Sequence, residues 1–131
     1  MIKLLLDRDM EGPGSILWGM LTVEGWASFF PIQVVALAQV LPEETPDDEV
    51  WRFAQKNEMV FLTYHLSITQ KDLLEEVIDA ENQPSSLPVI TIAHVPLLTV
   101  ERDYQETCLD RLLEILENLE YYKGTGRLFI P

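Results

Sequence analysis

Short apolar runs typical of buried strands alternate with segments of helical periodicity along the chain, and this alternation constrains the fold more than any other feature. The five strand-like runs are Ile2–Leu6, Ile32–Leu37, Met59–Thr63, Pro88–Ala93 and Arg127–Ile130. Runs of consecutive apolar residues indicate strands covered on both faces, as in a parallel sheet. Strict alternation with helices predicts successive βα units, hence a three-layer α/β/α sandwich around a mostly parallel five-stranded sheet.

Helical periodicity in the intervening segments predicts four helices. They are expected to begin near Ser15, at Pro46, after Thr69 and near Glu101. For the second helix, Thr45 has the side chain of an N-cap residue, Pro46 suits the first helical position, and the end is expected near Asn57. The fourth helix is expected to run without a break to Tyr121 and to bury one apolar stripe.

A chain of 131 residues has the usual length of one domain, so residues 1–131 are expected to form a single domain. Its one cysteine, Cys108, excludes an internal disulfide and a cysteine metal cluster, and it fits a reducing, cytoplasmic location. Cys108 lies in the apolar stripe and is expected to be a small buried hydrophobe. The longest uncharged stretch, Gly25–Pro42, is interrupted by polar residues, so no membrane segment is expected.

Acidic residues outnumber basic residues by 22 to 9, and the net charge is −13. Proteins that bind polyanions usually carry a basic surface, because neutralising phosphates supplies much of the affinity. The composition therefore argues against non-specific binding to nucleic acid or to anionic membranes. It favours a basic protein partner or a site that binds cations.

Polar residues gather in the sequence where predicted strands end and where the second helix begins. They are Asp7 and Asp9 after the first strand, Thr63, His65 and Ser67 at the end of the third, and Asp47–Glu49 at the helix start. The carboxyl ends of parallel strands meet at one edge of the sheet, where such folds bind ligands. Because Mg²⁺ prefers carboxylate oxygens and water, a divalent cation site is expected at this edge.

Each candidate also has a structural interpretation. Asp7 equally suits a loop cap that accepts backbone N–H bonds. The acids of Asp47–Glu49 are favoured in a first helical turn by the helix dipole alone, although one of them could face the cleft. His65 is a better functional candidate than His94, which is expected in a loop near Pro96, and the two histidines lack the spacing of a metal motif.

Three segments, taken in order, resemble a known family: LLLDRDM at the start, PDDEVWRFAQKNE in the second helix and MVFLTYHLS around the third strand. Over about the first 70 residues they are similar to PIN-like domains of the short DUF5615 type. The resemblance implies a parallel sheet in an α/β/α sandwich and Mg²⁺- or Mn²⁺-dependent ribonuclease activity, often in toxins paired with an antitoxin. It also implies that Asp7 is the first acid of the metal site and that Asp48 or Glu49 is the helix acid.

The third segment departs from the family pattern, because His65 and Ser67 stand where two aspartates are expected. Asp9 stands where the family often has Asn and adds one carboxylate back. Fewer anionic oxygens weaken a Mg²⁺ site, and histidine favours a softer ion such as Mn²⁺. The resemblance therefore implies a degenerate active site.

The first hypothesis is a PIN-like, metal-dependent ribonuclease that acts on RNA as a toxin component. It assigns metal binding to Asp7, Asp9, Asp48 and Glu49, catalysis to Asp7, Asp48 and His65, and substrate contact to Thr63 and Ser67. The second is a catalytically silent interaction module that binds a basic, antitoxin-like protein. A nucleotide-binding protein is a weaker third hypothesis, because Gly12–Gly14 lacks the spacing of a phosphate-binding loop. Self-association as a homodimer is compatible with all three.

Overall fold

In the part of the chain that the structure describes, five parallel strands form one sheet. The computed structural model describes residues 2–7, 16, 19, 32–64 and 73–130. The strands are β1 Ile2–Leu6, β2 Ile32–Ala36, β3 Met59–Tyr64, β4 Val89–Ile92 and β5 Arg127–Ile130. Their order is β2-β1-β3-β4-β5, and every neighbouring pair is parallel. The predicted strands are confirmed, with ends that shift by at most one residue.

The helices in these ranges are α1 Leu37–Val40, α2 Asp47–Lys56, α3 Leu73–Glu81, α4 Val95–Val100, α5 Arg102–Glu117 and α6 Leu119–Tyr122. The second, third and fourth expected helices correspond to α2, α3 and α5. The first expected helix, which begins near Ser15, lies outside the described residues apart from positions 16 and 19. No helix within the described ranges is long and apolar enough to cross a membrane.

Two apolar layers cover opposite faces of the sheet, which makes the fold a three-layer α/β sandwich. Side chains alternate along a strand, so Leu4 and Leu6 of β1 face one layer and Leu5 faces the other. The first layer is built mainly from α5 and the second mainly from α2 and α3. The buried residues of α5 are Cys108, Leu109, Leu112, Leu113, Ile115 and Leu116. This confirms the apolar stripe and the buried cysteine.

The start of α2 differs from the prediction, because Thr45 does not cap the helix. Its hydroxyl donates to the carbonyl oxygen of Pro42 over 2.8 Å and closes the preceding turn. Pro46 is the N-cap residue, with extended backbone, and its carbonyl oxygen accepts the N–H of Val50 over 3.1 Å. Threonine hydroxyls make such local bonds in turns as well as in caps, so the local pattern did not distinguish the two.

A helix begins at Val95, so the expected loop is wrong for Pro96, whereas His94 lies outside the helix as its N-cap residue. Pro96 lies in the first turn of α4, where a missing N–H is tolerated because the first N–H groups have no partner within a helix. The predicted unbroken fourth helix is also wrong, since α5 and α6 are separated at Asn118. The amide of Asn118 donates to the carbonyl oxygen of Glu114 over 2.8 Å, a local bond that competes with regular helix.

Glu58 joins α2 to β3 in a left-handed conformation, with φ 54°. This conformation destabilises a residue that has a Cβ by about 1–2 kcal/mol, whereas glycine adopts it without that cost. Glycine, however, loses more conformational entropy on folding. We expect Glu58→Gly to raise the free energy of unfolding by about 0.5–1 kcal/mol in urea denaturation. Glu76→Gly, within α3 and exposed, is the control and should lower it by about 1 kcal/mol. Equal losses in the two variants would contradict the strain at Glu58.

Candidate functional site at the carboxyl edge

The direction in which the chain winds reverses between β1 and β3. From β1 the chain moves outwards to β2, and from β3 it moves the opposite way through β4 to β5. In doubly wound sheets the reversal opens a crevice beyond the carboxyl ends of the strands, and ligands bind there. Asp7 directly follows β1, and Thr63 lies near the end of β3. Both predicted site residues therefore flank the crevice.

A short hydrogen bond joins Asp7 to Thr63. The hydroxyl of Thr63 donates to Oδ2 of Asp7 over 2.6 Å, and the N–H of Asp7 donates to the carbonyl oxygen of Leu62 over 3.0 Å. Thr63 is 4% exposed and Asp7 is half-buried, so the threonine is the inner member of the pair. The carboxylate is thus held in a defined orientation at the crevice. Contact of Thr63 with a substrate stays a prediction, since its hydroxyl already donates its hydrogen bond to Asp7.

The same face of the sheet carries an acidic helix start. Two positions before Asp7 and Thr63, Leu5 and Phe61 lie in the apolar layer of α2 and α3, so by alternation the polar pair belongs to that face. A helix that links parallel strands begins at the carboxyl edge and returns to the amino edge. The first turn of α2, with the acids Asp47–Glu49, therefore opens at the edge that carries Asp7.

Asp48 is held through one oxygen and unsatisfied at the other. Its Oδ2 accepts from Nη1 of Arg52 over 3.2 Å, and Nε of Arg52 also donates to Glu81 of α3 over 3.0 Å. The hydrogen bond from Arg52 lowers the pKa of Glu81 below its ordinary value. Oδ1 of Asp48 is buried and finds no hydrogen-bond partner among the described residues. Glu49, the alternative helix acid, is exposed.

The other predicted site residues, Asp9, His65 and Ser67, lie outside the described residues. Within the described ranges, no group of three or more His, Cys, Asp or Glu side chains is arranged to hold a metal ion. The structure therefore brings Asp7 and Thr63 together, while shared metal binding by the acidic residues stays a prediction.

Polar side chains continue across the sheet from Thr63 to Thr91, Arg127 and Glu75. No sequence motif indicated these three residues. Thr91 of β4 is the register partner of Thr63 and is fully buried. Its Oγ1 accepts from Nε of Arg127 over 2.8 Å, and Nη1 of Arg127 lies 3.8 Å from Oε1 of Glu75. The Arg127 side chain is only 7% exposed and also stacks over the ring of Phe129. A threonine inside each of two otherwise apolar runs was the available sequence signal.

His94 contacts Tyr104 through both its backbone and its ring. It precedes α4, its backbone N–H donates to the hydroxyl oxygen of Tyr104 over 3.0 Å, and the two rings meet edge to face. Burial raises the pKa of Tyr104 to about 12 and also raises the pKa of the Cys108 thiol. Both groups are therefore neutral near pH 7, which agrees with the inert, buried cysteine expected from the sequence.

Most basic side chains of the described ranges pair with carboxylates. The paired residues are Arg52, Arg102, Arg111, Lys123 and Arg127. Within the same ranges, Lys3 and Lys56 form no ion pair. These ion pairs neutralise most of the basic side chains locally, so the excess of acidic residues determines the charge of the described surface.

No known protein family matches this chain, and neither a curated protein nor a solved structure is significantly similar to it. The α/β sandwich therefore rests on the structure itself, and the resemblance to PIN-like domains stays a prediction from three sequence motifs.

Proposed function

We propose that this chain is a PIN-like protein whose carboxyl edge around Asp7 binds a divalent cation and cleaves RNA. The observation that carries the proposal is the 2.6 Å hydrogen bond that fixes the Asp7 carboxylate at the reversal point of the sheet. Carboxylates that bind metals are usually held in this way by a second side chain, which sets their orientation. Thr63 fills that role for Asp7.

The residues near this edge are chemically suited to such an ion. A buried carboxylate oxygen without a partner, as at Oδ1 of Asp48, is a group that a cation or an ordered water would satisfy. The ion would be held by Asp7 and an acid of the first turn of α2, Asp48 or Glu49, with Asp9 as a helper. When bound, a divalent cation supplies charge stabilisation and an activated water for phosphodiester hydrolysis. His65 would orient that water or accept its proton.

Asp7→Asn is expected to remove cation binding, because it replaces an anionic oxygen by an amide while keeping the size of the side chain. The wild-type melting temperature should rise with added Mn²⁺, and that of the variant should not. Thr63→Val should weaken cation affinity about 10- to 100-fold, and Thr63→Ser should restore it, because only the hydroxyl matters for orientation. Cleavage of single-stranded RNA, followed with the same four proteins, should change in parallel.

The matched control is Asp110→Asn, which removes an exposed carboxylate of α5. It should bind Mn²⁺ and cleave RNA as the wild type does. The proposal fails if neither Mn²⁺ nor Mg²⁺ stabilises the wild-type protein and no RNA is cleaved, or if Asp110→Asn has the same effect as Asp7→Asn.

A second candidate function, a catalytically silent module that binds a basic, antitoxin-like protein, is favoured by the charge distribution. The net charge of −13 and the paired arginines leave a surface that attracts cations and repels RNA. Co-purification with the product of the neighbouring reading frame, in low and high salt, tests it. Under this function Asp7→Asn keeps its partner and the wild type has no nuclease activity, whereas under the first the variant loses a measurable activity.

A further inference from the structure

A groove of about 420 Å³ opens at the amino edge of the sheet, opposite the edge that carries Asp7. It lies beside the amino ends of β1 and β3, between the end of α2, the turn before β4, and α6. The lining residues on which its chemistry depends are Ile2, Val60, Leu87, Leu119, Glu58 and Glu120. A volume of this size is within the usual range of small-molecule sites.

Hydrogen bonds hold the walls of the groove in place. The Gln55 amide donates to the carbonyl oxygen of Leu87 over 2.8 Å and accepts its N–H over 2.9 Å, which ties the turn before β4 to α2. The N–H of Gly124 donates to the carbonyl oxygen of Ser86 over 2.9 Å, which ties the same turn to the end of α6. Because the groove is preformed, little ordering of the protein opposes the binding of a ligand.

The floor of the groove is apolar and lies on one face of the sheet. Val60 belongs to the core layer of α5, and Ile2, Leu87 and Leu119 pack against that layer. These last three residues are half-buried, so each keeps some contact with solvent. They come from a strand, a turn and a helix, so they form a concave surface and not a stripe along one element. An alkyl chain a few carbon atoms long would remove this surface from water.

The two lysines that line the groove do not supply an unengaged cation to this floor. Side chains alternate along β1, so Lys3 lies on the same face of the sheet as Leu5, opposite to the face of Ile2. Nζ of Lys123 is held by Oε1 of Glu120 over 2.7 Å. The floor therefore does not favour an anionic ligand.

The charged groups that favour a ligand at this groove are the carboxylates of Glu58 and Glu120. Both residues are exposed, and Glu58 forms no ion pair with any described residue. Glu120 is paired with Lys123 three residues further along the chain, and its side chain is 87% exposed. An exposed pair of this kind contributes little stability, so the carboxylate is able to accept a second cation. The net charge of −13 adds a general attraction for cations.

We propose that this groove is a binding site for small aliphatic amines. The ammonium group is bound on the side of Glu58 and Glu120, and the alkyl chain covers Ile2, Leu87 and Leu119. The carboxylates select a positive charge, and the apolar floor favours an alkyl chain over a small hydrated cation. The site is independent of the proposed activity at Asp7, because it lies at the opposite edge of the sheet.

NMR titration of the full chain with hexylamine hydrochloride tests the site, followed through the backbone amide signals of Leu87 and Leu119. Hexylamine should shift these signals to saturation. Butylamine should bind about 15-fold more weakly, because each buried methylene contributes about fourfold to the affinity. Sodium hexanoate has a similar chain with the opposite charge, so the same concentration should leave the two signals in place.

Glu58→Gln is expected to weaken hexylamine binding about two- to fivefold, because it removes an exposed charge pair and keeps the size of the side chain. The matched control is Glu76→Gln, which removes one negative charge from an exposed position of α3 outside the groove. It should bind hexylamine as the wild type does, and so should Asp7→Asn, which separates this site from the carboxyl edge.

Three outcomes overturn the proposal. They are an absence of hexylamine binding, shifts with hexanoate as large as those with hexylamine, and equal effects of Glu58→Gln and Glu76→Gln. The dispersion of the amide signals in each variant shows whether it is folded, so loss of binding is distinguished from loss of structure.

Discussion

Replacing Phe61 with alanine is expected to lower the free energy of unfolding by about 3–5 kcal/mol. Phe61 lies in β3, the middle strand of the sheet, and is 1% exposed. Its ring belongs to the apolar layer between the sheet and the helices α2 and α3. Truncation removes the favourable burial of the ring and leaves a cavity. Because β3 is hydrogen-bonded to a strand on each side, the backbone cannot move to fill that cavity. Urea denaturation followed by circular dichroism measures the loss.

The matched control is Phe129→Ala in the edge strand β5. Phe129 is 48% exposed and is covered in part by the guanidinium of Arg127, so its truncation should cost less than about 1.5 kcal/mol. If the two variants lost the same stability, the placement of Phe61 at the centre of a core layer would be contradicted. A changed slope with denaturant would instead indicate altered compactness of the unfolded chain.

The second large effect is expected at Gly124, which ends the turn after α6. Its φ is 84°, and an added Cβ would lie 3.0 Å from Cα and 3.1 Å from the carbonyl oxygen of Pro84. Both atoms are backbone and cannot turn aside. The N–H of Gly124 donates to Ser86 and its carbonyl oxygen accepts from Asn82, so the residue itself is also fixed. Gly124→Ala should lower the free energy of unfolding by about 2–4 kcal/mol.

Gly126→Ala distinguishes the close contact from the backbone conformation. Gly126 has nearly the same φ, 85°, but its added Cβ would meet Cγ2 of Ile78 at 3.0 Å. Because a side-chain atom can shift, only the conformational cost of about 1–2 kcal/mol is expected. Thermal and urea denaturation of the two variants measure the difference. A loss at Gly126 as large as that at Gly124 would show that contact with the Pro84 backbone is not the cause.

The strands were predictable because burial on both faces requires a run of consecutive apolar residues, which is visible in the local sequence. Ile2–Leu6 and Arg127–Ile130 have the predicted ends, and the other strands differ by at most one residue at either end. Helix ends were less predictable. The hydroxyl of Thr45 had two possible local partners: it could accept from a helix N–H as a cap, or donate to the carbonyl oxygen of Pro42. The structure has the second bond. Asn118 divided a helix whose apolar periodicity continues across it.

The candidate site was predictable in part. Asp7 and Thr63 stand at the ends of predicted strands, and the rule that ligands bind at carboxyl edges placed both in the right region. Their direct hydrogen bond was not predictable, because it requires β1 and β3 to be neighbours. The hydrogen bond between Thr91 and Arg127 and the salt bridge between Arg52 and Glu81 also join residues far apart in the sequence, so no short motif could predict them.

The sequence by itself determined the alternation of strands and helices, the two-sided burial of the sheet and the strongly acidic charge, because each depends on residues close together in the chain or on composition alone. Only the tertiary structure decided the order β2-β1-β3-β4-β5, which puts the reversal point beside Asp7. It also decided which polar side chains find partners, as in the hydrogen bond between Asp7 and Thr63. The physical reason is that hydrogen bonds and ion pairs act over a few ångströms between residues that lie far apart in the sequence.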